Sequence, residues 1–257
     1  MVPNLIILGP PGAGKGTQAD RFARARGIPK ISTGDVLRDA VHAGTEFGRR
    51  AQVIMARGEL ISDDVMIGIV RERLERPDAV GGFVLDGFPR TVAQATALDA
   101  IMEARDPLIV VDIVVPEAEL TRRLGSRMIC DDCGANAGSV ADVPAVVADG
   151  PVMPAAVGTA AAGAPASIAE RQAQTDPLRC RRCGGRLVQR TDDNDTVVQE
   201  RLKVYHRQSE PLVAYYRARP TFRTIDGAQS SDRVALDLAA AVEEVENGYA
   251  SRGAVRR

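Results

Sequence analysis

Nine residues near the start of the chain, Gly9-Pro10-Pro11-Gly12-Ala13-Gly14-Lys15-Gly16-Thr17, have the types and spacing needed to hold a polyphosphate. Glycines let successive backbone N–H groups turn inward around an anion, and a helix N-terminus directly after them adds positive potential. Gly12, Ala13, Gly14 and Gly16 belong to the cradle, Lys15 reaches the β- and γ-phosphates, and Thr17 can ligate Mg²⁺. The strict pattern places Ser or Thr directly after the lysine; here Gly16 intervenes. A second acidic contribution comes from Gly82-Phe83-Val84-Leu85-Asp86-Gly87-Phe88-Pro89-Arg90, which puts Asp86 at the end of an apolar run. At the C-terminal edge of a parallel sheet such a carboxylate faces the ligand crevice and can hold Mg²⁺, partly through water. Alone, an Asp there is more often a turn former; beside a phosphate loop it reads as a metal ligand.

The four cysteines form two knuckles, Cys130-Asp-Asp-Cys133-Gly and Cys180-Arg-Arg-Cys183-Gly. Two C-x₂-C pairs supply four thiolates for a closed tetrahedral Zn²⁺ site. A redox pair is the competing reading, but a catalytic C-x-x-C opens a helix beside a strand, which neither pattern does. Forty-six residues separate Cys133 from Cys180. Closure cost grows only logarithmically with loop length, adding about 1 kcal/mol for a gap of this size. Structural zinc contributes on the order of 10 kcal/mol or more, so the knuckles can still pair.

These groups need elements to position them. Asn4–Leu8, Gly82–Asp86 and Ile109–Val115 read as buried strands, and Thr17–Arg26 as the helix after the phosphate loop. Helices are also expected over Thr45–Arg57, stopped at Gly58, from a Ser62 cap to about Arg76, and over 195–218 and 232–247. Strands alternating with helices imply a parallel sheet covered on both faces. Residues 135–169 break the pattern, with thirteen Ala, six Val, four Gly, four Pro and only Asp142 and Asp149 charged. With little bulky side chain to bury against ordering entropy, this segment is expected to be a flexible insert.

Composition narrows the class. The 257 residues, 45% apolar, allow a large core, and a net charge of −1 argues against gripping nucleic acid through bulk positive charge. The N-terminus has no basic region before its short apolar run, and the charge-free stretch 150–169 is a poor bilayer span. A cytoplasmic, monomeric protein acting on small molecules, without nucleic acid or membrane, is the expectation. Lysine is scarce: Lys15, Lys30 and Lys203 stand against thirty arginines. That is a coding bias for most positions, and it makes Lys15 informative, because a compact ammonium fits where a planar guanidinium does not.

Four stretches together resemble adenylate kinase of the long-lid, zinc-binding bacterial type. They are Gly9–Thr17 with Gln18, Ser32-Thr33-Gly34-Asp35-Val36-Leu37-Arg38, Asp86-Gly87-Phe88-Pro89-Arg90-Thr91 with Gln94, and Arg190-Thr191-Asp192-Asp193 followed by Arg201. The resemblance implies an α/β fold of the P-loop nucleoside monophosphate kinase class, a five-stranded parallel sheet wrapped by helices. It implies a core at 1–31, 62–125 and 194–257, an NMP-binding arm at 32–61 and a zinc lid at 126–193 whose closure excludes water. The implied reaction is reversible transfer of the γ-phosphoryl of Mg-ATP to AMP, giving two ADP. Lys15, Arg90, Arg127, Arg190 and Arg201 match the positions that neutralise charge on the moving group, with Asp86 as metal partner. Arg123 and Arg127 fall on the ATP side, as does Gln229, where the backbone cradles the donor adenine. Thr33, Gly34, Arg38, Glu59, Leu60, Ile61, Gly87, Arg90, Gln94, Arg190 and Arg201 fall on the AMP side, with Gln94 reading the adenine edge through a group that both donates and accepts. Met128 stands where many members carry a second Arg. A nucleoside monophosphate kinase of different base preference, and more remotely a zinc-knuckle nucleic-acid-binding protein, remain as alternatives. The knuckles lack interleaved aromatics for base stacking.

Overall fold

A computed structural model describes residues 3–132, 179–180, 183–189 and 195–254, with the backbone alone at 195 and 250–254. The chain divides into two compact units, Met1–Ser126 with Thr191–Arg257, and Arg127–Arg190.

The first unit is built on a parallel sheet. Strand β1 (Asn4–Leu8) leads through the phosphate loop into α1 (Lys15–Arg26). Then come β2 (Lys30–Ser32), α2 (Thr33–His42), α3 (Glu46–Ala56), α4 (Asp63–Leu74), β3 (Phe83–Asp86) and α5 (Val92–Met102). After β4 (Leu108–Val114) and α6 (Glu117–Gly125) the chain passes through the second unit. It returns as α7 (Asp195–Val204), α8 (Pro211–Arg217), β7 (Phe222–Asp226) and α9 (Ser231–Ala254). The strand order is β2-β3-β1-β4-β7, all parallel, which makes β1 the centre.

Alternation sorts the strand side chains between two cores. Leu5, Ile7, Val84, Ile109, Val111 and Ile113 meet Phe22 of α1 and Leu238 and Val242 of α9. Ile6, Leu8, Leu85 and Val110 meet Val70 and Leu74 of α4, Leu98 of α5, and Leu212 and Tyr216 of α8. The near-continuous apolar strands that made these segments legible are the signature of a sheet buried on both faces. Among the described residues, no helix is long and apolar enough to cross a membrane.

Several boundaries differ from expectation, each for a physical reason. Strands β2 and β7 escaped the periodicity reading: β2 has three residues and opens on Lys30, and β7 is an edge strand whose Arg223 and Thr224 are not fully buried. The helix beginning at Asp63 has Ser62 at its cap position, but that side chain makes no capping bond. It ends at Leu74, short of Arg76, because the residue before Pro77 is biased away from helical backbone. The helix expected over 195–218 is two helices joined by a π turn, Tyr205–Ser209, in which Glu210 N–H donates to Tyr205 O at 2.9 Å. Pro211 opens α8 at a position where a missing N–H costs nothing. The last helix outruns 232–247 and passes Gly248, since Tyr249 beyond it packs on the core.

In the second unit, β5 (Met128–Cys130) pairs antiparallel with β6 (Leu187–Gln189), Ile129 opposite Val188. Its small described core is Cys130, Cys180 and Leu187, with Met128 against them. The Ala-rich segment 135–169 lies outside the described residues.

Candidate functional site

Register places two loops side by side. Ile7 of β1 pairs with Asp86 of β3, so the phosphate loop and the Asp86–Arg90 turn leave the same edge of the sheet from neighbouring strands. Gly12 holds φ +86°, and a Cβ there would meet Leu124 Cγ at 3.0 Å and Leu120 O at 3.1 Å, so α6 packs directly against the loop backbone. Lys15 folds across the loop, its Nζ donating to Gly9 O at 2.7 Å and Pro10 O at 2.8 Å. Gly16, the departure from the strict pattern, has a reason. A Cβ at Gly16 would lie 3.0 Å from Asp86 Oδ2, so the missing side chain admits the carboxylate to the loop. Asp86 and Thr17, the residue after Gly16 in the chain, carry hard oxygen donors of the kind Mg²⁺ takes.

The turn after β3 is tied down from several directions. Gly87 O accepts from Thr33 Oγ1 at 2.9 Å and from Arg90 Nε at 2.8 Å. Arg90 N–H donates to Gln94 Oε1 at 2.7 Å, and Ser209 Oγ of the π turn donates to Arg90 O at 2.9 Å. The Phe88–Pro89 peptide is cis. Thr91 caps α5, accepting Gln94 N–H at 3.2 Å. Gln94 is 1% exposed, and its Nε2 donates to Asp63 Oδ1 at 2.7 Å, while Asp63 Oδ2 accepts from Thr91 Oγ1 at 2.9 Å.

Beside this turn, the start of α2 carries Thr33 and Gly34, with Arg38 about one turn further on. A Cβ at Gly34 would stand 3.2 Å from the Arg38 guanidinium, which pairs with Asp35. Burial pushes the Asp35 carboxyl up, but Arg38 and Lys30 outweigh it and hold it below the ordinary carboxylate range. Glu59 is exposed, Leu60 half-buried and Ile61 buried. Gly58, just before them, leaves room for Arg201 of α7, whose Cγ lies 3.0 Å from where a Cβ would be. Arg201 is thus brought against the segment leading into 59–61. Arg123 Nε donates to Glu119 Oε1 at 2.7 Å. Gln229 Nε2 donates to Asp226 O at 3.1 Å and Asp237 Oδ2 at 3.0 Å, so its side chain ties the end of β7 to α9. Arg127 is the first residue of the second unit. Arg190 and Thr191-Asp192-Asp193 lie outside the described residues.

In the second unit, Cys130, Cys180 and Cys183 present sulfurs within 4.8 Å of one another, the Cys130–Cys183 pair at 3.4 Å. A disulfide would need about 2.05 Å, whereas tetrahedral thiolates on zinc, with Zn–S near 2.3 Å, stand roughly 3.8 Å apart. Cys130 and Cys180 are buried and Cys183 exposed. At the second knuckle Gly184 N–H donates to Cys180 O at 2.8 Å and Cys180 N–H to Gly185 O at 2.7 Å. A Cβ at Gly185 would lie 2.9 Å from Cys130 Sγ, so the backbone at Gly185 packs against the sulfur cluster. Three convergent thiols with a soft-donor geometry fit a metal; Cys133 lies outside the described residues.

Three site-lining groups went unmarked in the sequence reading. Asp63 and Ser209 touch Gln94 and Arg90 from elsewhere in the chain. The spacing Thr91-x-x-Gln94 is that of a capping box and was a legible sign that Gln94 is fixed locally. Asp112, on β4 opposite Leu8, is 6% exposed, and its Oδ1 has no hydrogen-bond partner among the described residues. Burial pushes its carboxyl up, against the downward pull of Lys15 and Arg217.

A family model described as adenylate kinase matches residues 7–221. The adenylate kinase of Archaeoglobus fulgidus is 42% identical over 246 residues, covering 95% of this chain and all of that protein. That of Moorella thermoacetica is 43% identical over 240 residues, covering 93% and 97%. That of Rhizobium etli is 39% identical over 244 residues, covering 94% and 99%.

Proposed function

The chain belongs to the adenylate kinase family and transfers a phosphoryl group between ATP and AMP, producing ADP, and from that premise we propose how its residues divide the work. The observation that carries the assignment is the Ile7–Asp86 register, which sets a phosphate loop and an arginine-bearing turn on adjacent strand ends. A donor polyphosphate on the first loop and an acceptor phosphate at the second would then be neighbours.

The acceptor phosphate is already anionic, so no general base is needed. Catalysis is alignment together with neutralisation of charge on the moving phosphoryl group. Backbone donors of Gly12, Ala13, Gly14, Gly16 and Thr17 hold the donor phosphates, with Lys15 on the β- and γ-groups. Arg90 stands between donor and acceptor, its Nε fixed on Gly87 O. Arg201 and Arg38 serve the AMP phosphate, with Thr33, Gly34, Gly87 and the 59–61 backbone around the nucleotide and Gln94 at its base. Arg123, Arg127 and the Gln229 loop serve ATP, and Arg190 contributes charge neutralisation. Thr17 and Asp86, the latter partly through water, would hold the Mg²⁺ that accompanies ATP, which supplies charge neutralisation at the phosphates. Cys130, Cys133, Cys180 and Cys183 are the proposed ligands of a structural zinc that stands in for a core in a unit without aromatics. The core is assigned to 1–31, 62–125 and 194–257, the NMP-binding arm to 32–61, and the lid to 126–193. The reading extends to a cytoplasmic monomer that uses neither nucleic acid nor membrane; the net charge of −1 bears on the nucleic-acid part of it.

A coupled ADP assay with a panel of donors and acceptors tests the specificity, and Arg90→Ala tests the site. ATP with AMP is expected to be the best pair, and Arg90→Ala to lose about 10²-fold or more in kcat. A best acceptor other than AMP, or near-normal turnover in the variant, would overturn the assignment.

A further inference from the structure

We propose that Asp63 is a specificity-determining residue, which selects the acceptor base by holding the Gln94 carboxamide in one of its two flip states. The proposal rests on the reading above that Gln94 faces the acceptor base.

A carboxamide has ends of nearly equal size on a broad terminal torsion, so what decides its orientation is hydrogen bonding. Both ends of Gln94 are claimed by groups with no choice of role. Arg90 N–H can only donate, and it takes Oε1 at 2.7 Å. The Asp63 carboxylate can only accept, and it takes Nε2 at 2.7 Å. A flip would set donor against donor at Arg90 and acceptor against acceptor at Asp63. Asp63 is itself held, because its other oxygen accepts from Thr91 Oγ1 at 2.9 Å. The side chain is buried, with 1% exposure, so water is poorly placed to repair a mismatch.

Among the described residues each anchored end keeps one unused valence: a second lone pair on Oε1 and a second hydrogen on Nε2. An acceptor and a donor in fixed order match the adenine edge, where the 6-amino group donates and N1 accepts. Hypoxanthine presents the reverse, an acceptor at position 6 and a donor at N1. To pair with it, Gln94 must give up both anchors, or leave buried groups unpaired, which is how a site rejects an analogue most strongly. Asp63 lies on α4, outside the phosphate loop and the arginine-bearing turn.

The test is the ratio of kcat/KM for AMP to that for IMP, measured in the full-length enzyme alongside its thermal melt. In Asp63→Ala the ratio is expected to fall about tenfold, equivalent to about 1.4 kcal/mol of discrimination. Asp63→Asn is expected to hold the ratio near that of the parent, because a carboxamide oxygen can still accept from Nε2. A purely structural role for Asp63 would lower both kcat/KM values together and leave the ratio where it was. If Asp63→Ala does not fold, Asp63→Ser, too short to reach Nε2, carries the same expectation. Gln94→Ala separates the two layers. A ratio unmoved by Gln94→Ala overturns the base reading and the proposal with it. A ratio lowered by Gln94→Ala but unmoved by Asp63→Ala overturns the role of Asp63 alone.

Discussion

Asp86 reaches the backbone of Gly16, its Oδ2 3.0 Å from where a Cβ on that residue would be. Gly16 is the second residue of α1, in helical backbone that alanine favours over glycine. Gly16→Ala should therefore move stability and activity in opposite directions. The melting temperature is expected to hold or rise, while the displaced carboxylate raises the Mg²⁺ concentration for half-maximal rate several-fold. A magnesium titration of turnover beside a thermal melt reads both, and an unchanged magnesium requirement would count against Asp86 as the metal partner.

Lys15 is bonded to the carbonyls of Gly9 and Pro10, so its stem is already folded over the loop it serves. Lys15→Ala is expected to lose about 10²-fold or more in kcat while retaining a cooperative melt. Lys15→Arg is not expected to restore the rate, because a planar fork cannot occupy the place of a compact ammonium. Near-parental turnover in either variant would remove Lys15 from the mechanism.

The described core of the second unit is three residues, two of them cysteines. Metal removal should accordingly destabilise that unit ahead of the first. A strong chelator, or Cys130→Ser, is expected to split the melting profile, adding a low-temperature transition while the main one stays in place. Metal analysis of the purified protein should show about one zinc per chain in the parent and little in the variant. A melting profile indifferent to chelation would sink the structural-metal reading.

Asp99 ties α5 to α8, accepting from Tyr215 Oη at 2.6 Å and from Arg219 Nη1 and Nη2 at 2.8 and 2.5 Å. Burial pushes this carboxyl up, but the Arg219 and Tyr215 bonds outweigh it and hold it below its ordinary value. A depressed folded-state pKa contributes stability that is present above the unfolded value near 3.9 and is lost as pH falls through the folded value. Asp99→Asn is expected to lower the melting temperature by about 2–4 °C at pH 7, with the gap to the parent closing below about pH 4. Melts across pH 3 to 7 check this, and a constant difference over that range would refute it.

What the sequence determined by itself was the chemistry whose parts are contiguous in the chain. The phosphate loop, the Asp86–Arg90 turn and the two cysteine knuckles each need given residue types at fixed local spacing, because one turn of backbone must present them together. The strands β1, β3 and β4 were legible for a related reason, since burial on both faces leaves an uninterrupted apolar run. Tertiary structure alone decided the rest. Gly16 reads as an irregular motif until strand register brings Asp86 beside it. The partner of the Gln94 amide nitrogen is decided only when α4 delivers Asp63 from 31 positions away, and Arg90 gains its Ser209 bond from 119 positions away. The last helix runs past Gly248 because Tyr249 finds the core. Local spacing can specify what a loop binds. Which distant side chain holds that loop in one orientation depends on register and packing, and those are properties of the assembled sheet.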